Sequence, residues 1–246
     1  MKHKRQYRRG YPVAVLVGLE NDHAIIWQIF SQVVKLFLNL KIDGNRTVEK
    51  ILYNFHESLM DSLKPILNNG VQSVIIATPP RTTYAAEFRN HVKKHHKYLF
   101  QAKSPNRVNF TYIIGSVEDK LKVSDLVKTK QFTKSISDTT SKEANQIVDL
   151  FEKILYNEDK SSIVLYSLKE IENKLFQKEI RSESRIEYLL VTNKYLNEIK
   201  QKNRIHRLMQ ISKNKKVKTK VVNTATPAGN RINQFGGILF FSIPIN

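Results

Sequence analysis

The chain has 246 residues, enough for two domains of roughly 120 residues each, and its 41% hydrophobic content with interspersed charge places it among folded proteins. Forty-one Lys and Arg against 22 Asp and Glu give a net charge of +19, which points to a polyanionic partner, nucleic acid ahead of an anionic membrane. The absence of cysteine excludes disulfides, a thiol nucleophile and Cys-based zinc or iron–sulfur sites.

The N-terminal "KHKRQYRR" sets Lys2, Lys4, Arg5, Arg8 and Arg9 around Tyr7, within an arm over residues 1–10 suited to neutralising phosphates and stacking on a base. It lacks the apolar core of a signal peptide, and no stretch reaches the ~18 apolar residues of a membrane span. A cytoplasmic protein with no membrane partner is expected. Residues 12–18, "PVAVLVG", and 24–30, "AIIWQIF", flank the polar turn "LENDH" as a hairpin, with "VVKLFLNLKI" as a third strand. After "DGNRT", the spacing of Val48, Ile51, Leu52, Phe55, Leu59, Leu63 and Leu67 predicts a helix with one apolar face, ending near "NNG". A strand at 71–78, a basic helix within 83–99, a strand at 108–115 and a helix over 117–129 follow. That alternation predicts an α/β fold, with a mixed sheet flanked by helices over residues 11–135.

Residues 129–142, rich in Ser, Thr and Lys, suit an interdomain connection, with the boundary near residue 136. Beyond it come an amphipathic helix from 143, a helix opened by a Ser167/Glu170 capping box, a strand at 185–192, one long basic helix over about 193–212 and a strand at 217–224. A helix after Pro227 and the apolar run "ILFFSIPI" close the chain. The run does not alternate, as expected of a strand covered on both faces, so a core strand is predicted rather than a membrane or partner-binding tail. Residues 136–246 are therefore expected to form a smaller α/β/α sandwich.

Three stretches carry a family resemblance: "GNRINQFGGI" at 229–238, the helix, acidic turn and Tyr-containing segment at 147–175, and "IEYLLVTNKYL" at 186–196. With the order of elements, they resemble the Pelota and class-one release-factor family of archaea and eukaryotes, in its central and C-terminal domains. Gly229, Arg231, Gly236, Gly237 and Ile238 match the family's closing signature. The first half is similar more loosely, with Pro79, Pro80 and Arg81 where Pelota-like proteins have Pro-Gly-Phe. The family's N-terminal domain, which enters the decoding centre, has no counterpart in the ten residues before the first strand. Release factors also carry Gly-Gly-Gln in a loop that here reads "LKIDGNRT". The resemblance implies a ribosome-associated factor in rescue or surveillance, contacting rRNA and tRNA, with an elongation-factor-like GTPase as partner.

The residues expected to grip RNA are the arm, Lys93, Lys94 and Lys97 on the first basic helix, and Lys200, Lys202, Arg204, Arg207, Lys213, Lys215, Lys216, Lys218 and Lys220. The last group lies in a segment with no acid, so no local partner neutralises it. His91 and His95, four apart with His96 adjacent, have the spacing of a metal pair. "HVKKHHK" offers no carboxylate and three repelling lysines, so no metal ligand is assigned. Glu20 and Asp22 read as hairpin-turn residues rather than a nuclease centre. No catalytic motif and no cofactor are expected. The alternatives are a divergent peptidyl-tRNA hydrolase or release factor and a stand-alone RNA-binding or ribosome-dormancy protein.

Overall fold

A computed structural model describes residues 10–101, 107–156, 162–176 and 185–244. The fold is α/β, in two units: Met1–Leu67 with Val71–Thr140, and Asn68–Gly70 with Ser141–Asn246.

In the first unit, β1 (Pro12–Leu19), β2 (His23–Phe30) and β3 (Val34–Lys41) form an antiparallel meander. The two later strands, β4 (Ser73–Thr78) and β5 (Asn109–Ile114), pair in parallel beside β1, giving the mixed order β3-β2-β1-β4-β5. Successive side chains of β1 point to opposite faces, and both faces are covered. Val15, Val17 and Leu19 pack with α1 (Glu49–Asn68) and α2 (Tyr84–His95). Ala14 and Leu16 pack with Val123 of α3 (Lys120–Lys128) and Phe132 of α4 (Lys130–Tyr156). Trp27, the single tryptophan, is buried and donates from Nε1 to the carbonyl of Val117 at 2.9 Å. On α1 the predicted face is buried at Phe55, Leu59, Leu63 and Leu67, whereas Val48 precedes the helix and is exposed.

Residues 130–142, read from composition as a connection, lie within the 27-residue α4. Phe132 and Ile136 dock on the first unit's core, while Ala144, Ile147, Val148 and Phe151 dock on the second's.

The second unit orders its strands β6-β9-β7-β8, with β6 (Val164–Leu165), β7 (Arg185–Thr192), β8 (Lys218–Val222) and β9 (Ile238–Pro244). The two-residue β6 was not anticipated. The apolar tail is β9, antiparallel to both of its neighbours. Leu239 and Phe241 face a core with α4 and α8 (Pro227–Gln234), and Ile238 and Phe240 face one with α5 (Leu168–Phe176) and α7 (Lys202–Asn214). Ser167 caps α5 as predicted: its Oγ accepts from the Glu170 N–H at 3.2 Å, and the Glu170 carboxylate turns back to accept from the Ser167 hydroxyl at 2.7 Å rather than completing the box at the backbone.

The single long helix expected over 193–212 is two helices, α6 (Asn193–Glu198) and α7. Ile199 and Ile205 both pack on the same core, yet six residues in one helix would set them about 120° apart. The break lets both segments bury their apolar residues.

Residues 226–238 are part of this scaffold. Thr226 caps α8 by accepting from the Gly229 N–H at 3.1 Å, and Pro227 occupies the first turn. Arg231 donates to Glu152 at 2.9 Å and to Gln234 at 2.9 Å. Gly236 and Gly237 have φ of 92° and 83°, and the Gly237 carbonyl accepts from the Thr192 N–H at 2.8 Å, starting β9 beside β7.

Two predictions follow from this packing. A Cβ at Gly229 would lie 2.0 Å from the Asn223 carbonyl oxygen, so Gly229→Ala, usually a stabilising helix substitution, lowers stability by about 1 to 3 kcal/mol in urea unfolding. The second concerns Lys218, which is buried with its Nζ 5.6 Å from the Tyr188 ring centre. Burial pushes its pKa down to about 8, against the nearby Glu143 charge. Between that value and 10.5 the unfolded chain holds a proton that the folded chain has released, so stability rises with pH across that window. Lys218→Met flattens the rise, by on the order of 3 kcal/mol.

Candidate nucleic-acid interface

In the first unit the basic surface is built on α2. Phe88, His91 and Val92 face inward, which leaves Arg89, Lys93 and Lys94 exposed, and Lys97 follows in a short 3-10 turn, Lys97–Leu99. Lys93 and Lys94 also lie in the last helical turn, where cations suit the helix dipole. Among the described residues Lys93, Lys94 and Lys97 form no ion pair. Two further cations were not predicted. Arg89 lies 5.6 Å from the Tyr112 ring centre, and exposed Arg81 holds a left-handed φ of 61° after Pro79 and Pro80. The signal for Arg81 was available: it follows the Pro79–Pro80 pair, a turn-forming dipeptide.

In the second unit the segment 200–220 divides in two. Lys200, Lys202, Arg207, Lys213 and Lys216 are exposed on and around α7, with Arg207 5.7 Å from the Phe176 ring centre. The segment holds no acid of its own, but two of its members pair with acids distant in sequence and a third is buried. The Arg204 Nε donates to both Glu172 oxygens at 2.8 Å, and Lys220 is buried in an ion pair with the fully buried Glu143 of α4. Lys218 is buried beside Tyr188, which leaves it and Lys220 no face for a phosphate. The acids lie 32 and 77 residues from their partners in sequence, Glu172 from Arg204 and Glu143 from Lys220, so the local charge run concealed them. Lys215 is partly buried.

Lys216 ends α7. Its N–H bonds the Lys213 carbonyl at 3.0 Å and the Val217 N–H bonds the Ser212 carbonyl at 2.9 Å, the Schellman pattern, with Lys216 at φ 56° in the position usually taken by glycine. Arg81 and Lys216 are the non-glycine residues with positive φ among those described, and both are exposed and basic. Such outliers cluster at functional positions. Lys2, Lys4, Arg5, Arg8 and Arg9 lie outside the described residues.

The loop "LKIDGNRT" at 40–47 is tied down by Arg46. Its guanidinium donates to the Glu20 carbonyl at 3.0 Å and to Glu87 at 2.9 Å, and packs 3.8 Å from the Tyr84 ring centre. Asp22 bonds its neighbour His23 at 2.6 Å, and burial raises the pKa of Glu20, so the hairpin-turn reading fits both acids.

The histidines are arranged differently from their sequence spacing. His95 is exposed, whereas His91 and His96 are buried and both Nε2 atoms reach one oxygen of Glu57 on α1, at 2.8 and 3.0 Å. The carboxylate absent from the local sequence comes from 34 residues before His91. Burial opposes ionisation of Glu57, but the bonds from His91 and His96 prevail and lower its pKa. Burial lowers that of His91 despite Glu57. A carboxylate and neutral imidazole at one point can hold a divalent ion.

No protein-family model and no curated protein matches the sequence. Solved structures do resemble the fold. The archaeal Pelota of a ribosome-bound assembly with ABCE1 aligns over 95% of this chain and 62% of its own, at 16% identity and a TM-score of 0.52. Dom34 of S. cerevisiae, described as a translation termination-like factor interacting with Hbs1, aligns over 95% of this chain and 63% of its own, at 18% identity and a TM-score of 0.48. Archaeoglobus fulgidus Pelota aligns over 94% of this chain and 64% of its own, at 16% identity and a TM-score of 0.40. The chain thus spans less than two thirds of the length of these proteins, and at such identities the likeness is one of fold. This chain is similar in fold to archaeal Pelota.

Proposed function

We propose that this protein is a translation-related factor that binds the ribosome through rRNA or tRNA phosphates and acts by binding in rescue or surveillance. The observation that carries the reading is the likeness of fold to a ribosome-bound archaeal Pelota over 95% of this chain. The exposed basic surfaces support it. Lys93, Lys94 and Lys97 in one unit, and Lys200, Lys202, Arg207, Lys213 and Lys216 in the other, project from rigid helices or their ends without an acidic partner among the described residues. Charges placed in this way neutralise phosphates and release counterions, so binding weakens as salt rises. A GTPase partner of the elongation-factor type, a cytoplasmic location and a phosphate-binding role for the N-terminal arm belong to the same proposal. No helix among the described residues is long and apolar enough to cross a membrane.

Sedimentation of lysate through gradients at low and high salt tests the reading. The protein is expected with ribosomes or a subunit at low salt and displaced at high salt. A protein that remains at the top of the low-salt gradient sinks it. The triple variants K93E/K94E/K97E and K202E/R207E/K213E are each expected to flatten the dependence of log affinity on log salt by roughly 0.7 per lost contact, with the melting temperature unchanged. Lys216→Gly separates strain from function: releasing a left-handed lysine stabilises the fold by about 1 kcal/mol while the loss of its charge weakens RNA binding.

A further inference from the structure

We propose that Glu57, His91 and His96 form a binding site for a divalent transition-metal ion, with Zn2+ the best chemical match. The three ligating atoms lie within 4.8 Å of one another. Two imidazole nitrogens and one carboxylate oxygen are a borderline donor set that suits zinc, with a fourth position left for water or an added ligand.

The convergence has a local cause. His91 and His96 are five residues apart, and in a continuous helix they would point about 140° away from each other. α2 ends at His95, and His96 has φ −123° and ψ 46°, which swings its ring back while its N–H still bonds the Val92 carbonyl at 2.8 Å. The contacts to Glu57, 2.8 and 3.0 Å, are slightly shorter than the roughly 3.3 Å between neighbouring donors of a tetrahedral zinc, and the three atoms spread over as much as 4.8 Å, so loading the ion requires the carboxylate to draw back and the imidazole nitrogens to close toward each other by side-chain rotation. The histidine side chains are 7% and 8% exposed and that of Glu57 is 28%, which gives the site a closed back and an entry beside the carboxylate. Buried His56 packs behind His91, with ring centres 5.0 Å apart, and Tyr53 sets its edge against His91 at 5.2 Å. Lys93, Lys94 and Lys97 are exposed, where water and salt screen their repulsion of the ion.

The alternative is a purely structural Glu57 that accepts two N–H groups and binds no ion. A metal in the site would fasten α1 to the end of α2 and so hold the helix that displays Lys93 and Lys94. The proposal stands whether or not those lysines meet RNA.

Full-length protein stripped with a chelator is titrated with Zn2+ by calorimetry, and with Co2+ by visible absorption. One ion per chain, a higher melting temperature and a Co2+ ligand-field spectrum are expected. Glu57→Gln and His96→Gln weaken binding by at least about 10-fold, while His95→Ala leaves it unchanged. Absence of Zn2+ binding by the wild-type protein overturns the proposal. So does loss of binding in His95→Ala with retention in His96→Gln, which would place the ion on the helix-surface pair His91 and His95. If either ligand variant loses its helical circular dichroism, paramagnetic shifts in Co2+-loaded wild-type protein decide. Shifted His91 and His96 rings uphold the site, and shifts confined to His95 or His206 overturn it.

Discussion

The central strands of both sheets are buried on both faces, and most of the molecule's organisation follows from that constraint. Alternation along a strand then separates two apolar sets instead of apolar from polar. Val15 and Leu16 are neighbours in sequence but belong to different cores, as are Phe240 and Phe241. Each face needs its own helical cover. α1 and α2 cover one side of the first sheet, with α3 and the start of α4 on the other. In the second unit α4 and α8 oppose α5 and α7.

Charge is distributed by the same logic. A chain with 22 acidic and 41 basic residues cannot neutralise every cation internally, and four partly or fully buried acids pair with basic residues of the fold. Glu143 holds Lys220, Glu172 holds Arg204, Glu152 holds Arg231 and Glu87 holds Arg46. The remaining lysines at helix ends and on outer faces carry the positive field. Internal pairing thus separates cations that maintain the fold from those available to a polyanion, a distinction invisible in a count of net charge.

Elements with short-range signals were legible from sequence: the first hairpin, α1, the Ser167 cap and β9, whose unbroken apolar character indicated cover on both faces. Gly229 and Gly237 stand where a close backbone approach and a positive φ, respectively, leave few choices of residue. Features that depend on distant partners were not legible. Composition concealed the helicity of residues 130–142, since Phe132 and Ile136 gain their value only against a sheet formed elsewhere in the chain. The break between α6 and α7 lies in the six-residue gap from Ile199 to Ile205, easily lost in a uniformly basic stretch. The meeting of Glu57 with His91 and His96 was hidden for two reasons: the carboxylate is on another helix, and the histidines converge only because α2 stops between them. Of the basic residues, the exposed set on α2 and α7 was readable from helical spacing, whereas the inward turn of Lys218 and Lys220 needed knowledge of which face of β8 is covered.

The placement of β9 also bears on the order of events during synthesis. β9 lies between β6 and β7, so until residues 238–244 have left the ribosome the second sheet lacks an interior strand and both of its cores are open. Thr140 ends the first unit nearly a hundred residues earlier, so that unit can complete its sheet while the second is still being translated. Until then the exposed flank of β7 is an unpaired edge with strongly apolar faces, the kind of surface that recruits chaperones or misassembles. The interval between emergence of β7 and of β9 is therefore the vulnerable stage in the biogenesis of this protein.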